Sequence, residues 1–185
     1  MDRLSDIELM DALSEYDPES FNGTVFRVTR KNSDPVAPSI SGGRWALPSS
    51  TENKGTPVLY TSMEPEGAKS EISFILAQQN PIPTKKLCFH TIQVSLNKVV
   101  RLQNEDLQKL GVDLIEFTAR DYAATQRIGY AIDFLGFDGL IAPSARWECE
   151  NLMIYADNHS MDENLEVVET VEFDWLGWAQ KQQII

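Results

Sequence analysis

The stretch "EPEGAKSEISFILAQQ", residues 64–79, constrains the fold most. Ala68, Ile72, Ile75 and Leu76 recur at the spacing of one helical side, so it reads as an amphipathic helix. "RDYAATQRIGYAIDFLG" is a second such helix, with Ala124, Ile128, Ala131, Ile132 and Leu135 as its buried stripe and Gly136 as its stop. Around them lie strand-like runs. "GTVFRVTR" alternates Val25, Arg27 and Thr29 against Phe26, Val28 and Arg30. "TPVLYTS", "KKLCFHTIQVSL", "KVVRL", residues 138–142, residues 151–155 and "NLEVVETVEF" read as further strands. Strands and helices interleave without regular βαβ spacing. The expectation is one α+β domain, a mixed or antiparallel sheet core with flanking helices.

Shorter elements complete the chain. "SDIELMDALSEY" carries a Ser5-x-x-Glu8 start and reads as an N-terminal helix. "NEDLQKLG" is a short helix closed by Gly111, and "DWLGWAQKQQ" is a terminal helix with Asp174 as its cap. Residues 31–56 form a long loop with a short ordered core at "SGGRWAL". A loop of that length inside a compact domain is usually functional or mobile.

Composition narrows the function. The chain has 185 residues, 42% hydrophobic and 24% charged, enough for one domain with a core. No apolar run approaches the ~20 residues of a membrane span, and the acidic start lacks a signal peptide's basic and apolar regions. A cytoplasmic protein is therefore expected, with Cys88 and Cys149 as reduced thiols. The sequons at Asn22-Gly23-Thr24 and Asn158-His159-Ser160 then read as chance. A net charge of −12 argues against nucleic acid or an acidic membrane as a direct partner. It leaves room for a basic protein partner.

Several chemistries lack their motifs. There is no dinucleotide-fold glycine fingerprint, no phosphate-binding P-loop and no nucleophile elbow. His90 and His159 have no ligand-spaced neighbours, so no metal is expected. His90, inside a strand, reads as structural. Cys149 lies near Arg146, but no partner histidine is evident, and a thiol nucleophile is not the expectation.

A scattered polar set remains: Arg27, Arg44, Tyr60, Glu71, Gln126, Ser144 and Arg146. Singly, each has an ordinary reading as surface charge, rim packing or turn chemistry. Glu71 falls about 60° from the centre of its helix's apolar face, at its border. Their setting is more specific. "FRV", "GGRW", "TPVLYTS", "KSE", "TQRIG", "GFDGLIAPSAR" and "NLMIY" follow one another in that order. In this the chain resembles the RES domain family over roughly residues 22–156, with the helices at 1–20 and 173–185 as additions to a single domain spanning 1–185. It departs from the family in "ALPSSTENKGTP", residues 46–57, which lengthens the usual loop, and in Ala46 after the tryptophan.

The resemblance implies an ADP-ribosyltransferase-like fold and an enzyme acting on NAD as substrate, with no separate cofactor. It implies cleavage of the nicotinamide–ribose bond, and the toxin role in a toxin–antitoxin pair with a helix-turn-helix-type antitoxin. Glu71, Arg44 and Tyr60 are the catalytic candidates; Arg27, Arg44, Tyr60, Ser144, Gln126 and Arg146 are the NAD-binding candidates. A carboxylate suits the oxocarbenium-like ribosyl cation. Guanidinium forks suit a diphosphate, Tyr60 offers a stacking face, and Ser144 a hydrogen bond to substrate. Arg146 and Asn151 either bind substrate or pin the loop of Ser144. Two alternatives stand beside this: transfer of ADP-ribose to a specific protein, and an inactive binding module with its site blocked by the lengthened loop. Trp175, Leu176 and Trp178 are either core or a surface for a partner or self-association.

Overall fold

The computed structural model describes residues 4–50, 54–119, 121–159 and 165–185. Met1–Arg3, residues 51–53 of the lengthened loop, Arg120, Ser160 of the second sequon and Asn164 lie outside the described residues. The strands are β1 (Glu19–Arg30), β2 (Val58–Ser62), β3 (Leu87–Arg101), β4 (Gly139–Pro143), β5 (Glu150–Tyr155) and β6 (Leu165–Phe173). The helices are α1 (Asp6–Ser14), α2 (Pro65–Ala77), α3 (Asn104–Lys109), α4 (Ala123–Phe134) and α5 (Trp175–Lys181).

The sheet runs β1-β2-β5-β4-β3-β6, and β1 also pairs with β3. The strands from β1 round to β3 therefore close into a ring, with β6 hanging on β3. Only β3 and β4 are parallel, through Val99–Arg101 and Gly139–Ile141; the other named pairs are antiparallel. A parallel pair needs a long crossover, and α3 and α4 supply it. The sheet is thus mixed, in a single α+β domain, as expected.

Side-chain alternation separates two cores. Val25, Leu59, Ile92, Val94, Ile141, Leu152 and Ile154 fill the inward face of the ring. Val58, Leu140, Ala142, Met153 and Tyr155 point outward, under Leu9 and Leu13 of α1, Ile128 and Ile132 of α4, and Trp45. A third cluster joins Leu76 of α2 to Leu87 of β3 and to Trp175 and Ala179 of α5.

Two local expectations change. "KKLCFHTIQVSL" and "KVVRL" are one strand, β3. It changes neighbour midway, from β6 along Leu87–Val94 to β4 along Val99–Arg101. Asp138 spans the gap, accepting the backbone N–H groups of Asn97 (2.8 Å) and Lys98 (2.9 Å). On α2, Ile75 is 51% exposed, while the buried residues are Gly67, Ala68, Ser70, Ser73 and Leu76. The helix lies too close to β2 for large residues: a Cβ on Gly67 would stand 2.3 Å from the Ser62 hydroxyl. Periodicity of apolar residues misses a face made of small ones.

Other expectations hold. Ser5 and Glu8 form a capping box, and Asp174 accepts the N–H of Gly177. Gly111 and Gly136 follow their helices at φ +89° and +71°. His90 is buried between the hydroxyls of Thr29 and Thr170, at 2.8 and 2.9 Å. Among the described residues, no helix is long and apolar enough to cross a membrane. Trp175 is 2% exposed, so it is core.

Candidate functional site

The site lies where the outward face of the sheet meets α2. The small residues on α2 bring its backbone close to the loop after β4, and the Ser70 hydroxyl donates to the Arg146 carbonyl at 3.0 Å. Glu71, one residue on, then reaches the sheet. Its Oε1 accepts the Ser144 hydroxyl at 2.8 Å and the Asn151 amide at 3.0 Å. Both donors therefore converge on one carboxylate oxygen. Asn151 is the second residue of β5, opposite Ala142 and Ser62 on the neighbouring strands.

Ser144 is fixed in turn. Its N–H donates to the Cys149 carbonyl at 2.8 Å, and its hydroxyl oxygen accepts the Arg146 N–H at 3.1 Å. The single hydroxyl hydrogen goes to Glu71, so in this arrangement Ser144 orients the carboxylate. Arg146 itself stacks over the Phe74 ring at 4.0 Å and donates to the Thr118 carbonyl at 2.7 Å. It joins the loop to a segment far away in sequence and still presents a guanidinium beside the cluster.

The "SGGRWAL" segment forms the opposite wall. Gly43 and Ala46 pair across its turn. The Trp45 N–H donates to the Tyr60 hydroxyl at 3.2 Å, and Gln126 donates to the Gly43 carbonyl at 3.0 Å. Gln126 thus holds the wall from α4. Gly129 allows the contact, because a Cβ there would lie 1.9 Å from the Trp45 carbonyl oxygen. The sequence pieces Gly-Gly-Arg-Trp and Thr-Gln-Arg-Ile-Gly are two halves of one packing unit. Burial pushes the Tyr60 phenol well up from its ordinary value, so it is held neutral.

Arg44 is clamped between the rings of Phe117 and Tyr122, each 4.7 Å from the guanidinium carbon. Its Nη2 reaches the Ala119 carbonyl at 3.5 Å, and its buried Nη1 has no hydrogen-bond partner among the described residues. Burial lowers its pKa, opposed by Tyr122 and Glu71 and reinforced by Arg146. Arg44, Glu71, Arg146, Tyr60 and Tyr122 therefore share one electrostatic neighbourhood.

Arg27 does not join it. By alternation it points the same way as Val25, into the mouth of the ring, while Val28 faces α2. Its Nη1 donates to the carbonyls of Pro35 and Ala37, at 2.8 and 2.9 Å. Burial brings its pKa down to about 10 against the pull of Asp34. In this arrangement it pins the 31–39 segment to β1.

Two clefts border the cluster. One, of about 540 Å³, is lined by Phe74, Gln78, Thr118, Ala119, Ala145 and Arg146. The other, also about 540 Å³, includes Arg44, Phe117 and Leu114. Both sizes suit small-molecule sites. Phe74, Phe117 and Tyr122 were not singled out from sequence. The one available signal was that Tyr122 shortly precedes Thr-Gln-Arg-Ile-Gly. Cys149 is half-buried, its thiol pushed up by burial despite the Ser62 hydroxyl 3.5 Å away, which disfavours thiolate. No cluster of metal-binding side chains occurs among the described residues.

A carboxylate anchored through one oxygen, beside two guanidiniums and three aromatic rings on a mixed sheet, describes a cleft with the groups to hold an anionic ligand. The chain belongs to the RES domain family, whose model matches residues 24–176. No curated protein matches it. Among solved structures it is similar to a chain in the crystal structure of the M. tuberculosis MbcT–MbcA toxin–antitoxin complex, with a TM-score of 0.79 and 19% identity over 93% of this chain and 95% of that one. At that identity the likeness is one of fold.

Proposed function

We propose that this protein cleaves the nicotinamide–ribose bond of NAD and acts as the toxin of a toxin–antitoxin pair in the cytoplasm. The observation that carries the reading is Glu71, whose Oε1 is fixed by Ser144 and Asn151 while, among the described residues, no such bond reaches its Oε2. Breaking an N-glycosidic bond builds positive charge on the ribosyl carbon and ring oxygen. A carboxylate oxygen held ready for that charge stabilises the transition state without having to reorganise. Arg44 and Arg146 supply guanidiniums for the diphosphate. The rings of Tyr122, Phe117 and Phe74 hold those guanidiniums in place through their faces. Tyr60, neutral and bonded to the Trp45 N–H, braces the wall that carries Arg44.

In this reading Gln126 supports the site from α4, Ser144 acts through Glu71, and Arg27 holds the 31–39 segment apart from the cluster. NAD is the substrate, with no separate cofactor. The antitoxin partner is inferred from family membership and from the toxin–antitoxin complex in which the similar fold occurs.

The test is nicotinamide release from NAD by the purified protein, with water, phosphate or a protein as acceptor. Glu71→Gln keeps the shape and the anchored oxygen but removes the charge. It should lower kcat at least about a hundredfold with little change in melting temperature, by the scale of lost electrostatic stabilisation. Equal turnover by the variant would remove Glu71 from the chemistry. Folded wild-type protein that neither binds NAD nor releases nicotinamide would instead favour the inactive-module alternative.

A further inference from the structure

Trp178 lies beyond the end of the family match at residue 176, and none of the motifs that define the site includes it. The helix that carries it is firmly seated. Trp175 is 2% exposed against Leu76 and Leu87, and Asp174 caps the first turn. From that base Trp178 touches two separate parts of the site's framework. Its indole N–H donates to Glu66 Oε2 at 2.8 Å, on the first turn of α2. Its ring meets Trp147 at 6.2 Å, tilted by 49°. Phe173 holds the ring edge-on from β6, also at 6.2 Å.

Glu66 and Glu71 ride on the same rigid helix, and Trp147 and Ser144 lie on the same short loop. One side chain therefore spans the helix that carries the carboxylate and the loop that carries its partner. Other direct ties between helix and loop include the Ser70–Arg146 bond, the stacking of Arg146 on Phe74 and the Glu71–Ser144 bond itself. The Glu66–Trp178 bond is charge-assisted, and Lys69 steadies the same carboxylate at 2.6 Å. If the loop drifts from the helix, the 2.8 Å bond that orients Glu71 is strained with the other ties.

We infer that Trp178 is a positioning residue, a clamp from the C-terminal helix that fixes α2 against the Ser144 loop and so sets the orientation of Glu71. The catalytic consequence rests on the NAD-cleavage reading; the mechanical one does not. Misplacement of a reacting group by about 1 Å can lower turnover about a hundredfold, so a partly loosened clamp is expected to lower it about tenfold.

The experiment measures nicotinamide release by the full chain, together with amide hydrogen exchange over residues 144–149. Trp178→Ala removes ring contact and bond, and should lower kcat about tenfold with KM for NAD within about twofold. Trp178→Phe keeps a ring against Trp147 but no donor, and should lower kcat about threefold. Glu66→Ala removes the same bond together with the Lys69 contact and should lower kcat at least as much as Trp178→Phe, and the double variant Trp178→Phe/Glu66→Ala should lose little more than Glu66→Ala. Glu66→Gln still accepts from the indole and should recover most of the Glu66→Ala loss. Exchange at 144–149 should rise with each loss of turnover. A lower melting temperature with unchanged kcat and unchanged exchange at 144–149 overturns the proposal. Where Trp178→Ala does not fold, the phenylalanine and Glu66 variants decide. If the wild type releases no nicotinamide, the NAD reading fails, and the exchange measurements still decide whether the clamp exists.

Discussion

Removing the two donors to Glu71 singly and together tests whether they act as one device. Ser144→Ala deletes a hydroxyl at 2.8 Å and Asn151→Ala an amide at 3.0 Å, both aimed at Oε1. A hydrogen bond to a charged group contributes about 1.5–3 kcal/mol. If each is needed only to hold the productive carboxylate orientation, each loss should lower kcat about 10- to 150-fold, at about 1.4 kcal/mol per decade. The combination carries the information. Once one donor is gone the carboxylate can already rotate, so removing the second has less left to lose. The double variant should fall well short of the product of the single effects, with a coupling of about 1–2 kcal/mol. Ser144→Ala also leaves the Arg146 N–H without its acceptor, so its single effect should be the larger. Single-turnover nicotinamide release at saturating NAD is the assay, with circular dichroism to verify the fold. Strictly additive losses would refute the shared-anchor argument. Singles that turn over like the wild type would remove both residues from the orientation of Glu71.

Two further outcomes follow from packing and titration. Gly129→Ala places a methyl 1.9 Å from the Trp45 carbonyl oxygen, backbone against backbone. It should destabilise by about 3 kcal/mol, at the upper end of overpacking costs, and an unchanged urea midpoint would contradict that contact. Burial lowers the pKa of His90, helped by Arg27, and lowers that of His159 against the pull of Asp138. The unfolded chain then binds these protons more readily, so stability should decline as pH falls from about 6.5 toward the depressed folded values. His90→Gln should make that decline shallower in denaturation curves at pH 7 and pH 5, and an unaltered slope would remove His90 as a contributor.

What could be read from the sequence depended on how local each signal was. The capping box at Ser5, the cap at Asp174 and the stripe of α4 are set by neighbours within a turn or two, and each occurs as expected. The division of residues 85–102 into two strands failed because the continuity of β3 is supplied from a distance, by Asp138. The face of α2 was misjudged for a related reason. Gly67, Ser70 and Ser73 are buried because they are small, and small polar residues carry no hydrophobic signal. At the site, residue types were legible and their partners were not. Nothing in the sequence tells that the Arg27 guanidinium meets Pro35 and Ala37, or that Arg44 lies between Phe117 and Tyr122. Those contacts join positions 8 to 78 residues apart, and only the closed sheet brings them together.

The charge arrangement gives these partners a further meaning. Among the described residues, the ion pairs are formed by Lys31, Lys54, Lys69, Arg101, Lys109 and Arg127. Arg44 and Arg146 are met instead by carbonyl oxygens and ring faces. In a chain of net charge −12, carboxylates are abundant. Neutral contacts at these two arginines leave them without an ion pair among the described residues, where Arg44 also retains a buried N–H with no acceptor. An anion arriving there replaces a carbonyl that can turn back to water, whereas displacing a carboxylate would strand a charge. The surrounding negative field opposes a dinucleotide's approach. Binding would then rest on these guanidiniums at short range, where low local dielectric makes each contact stronger than it would be in water.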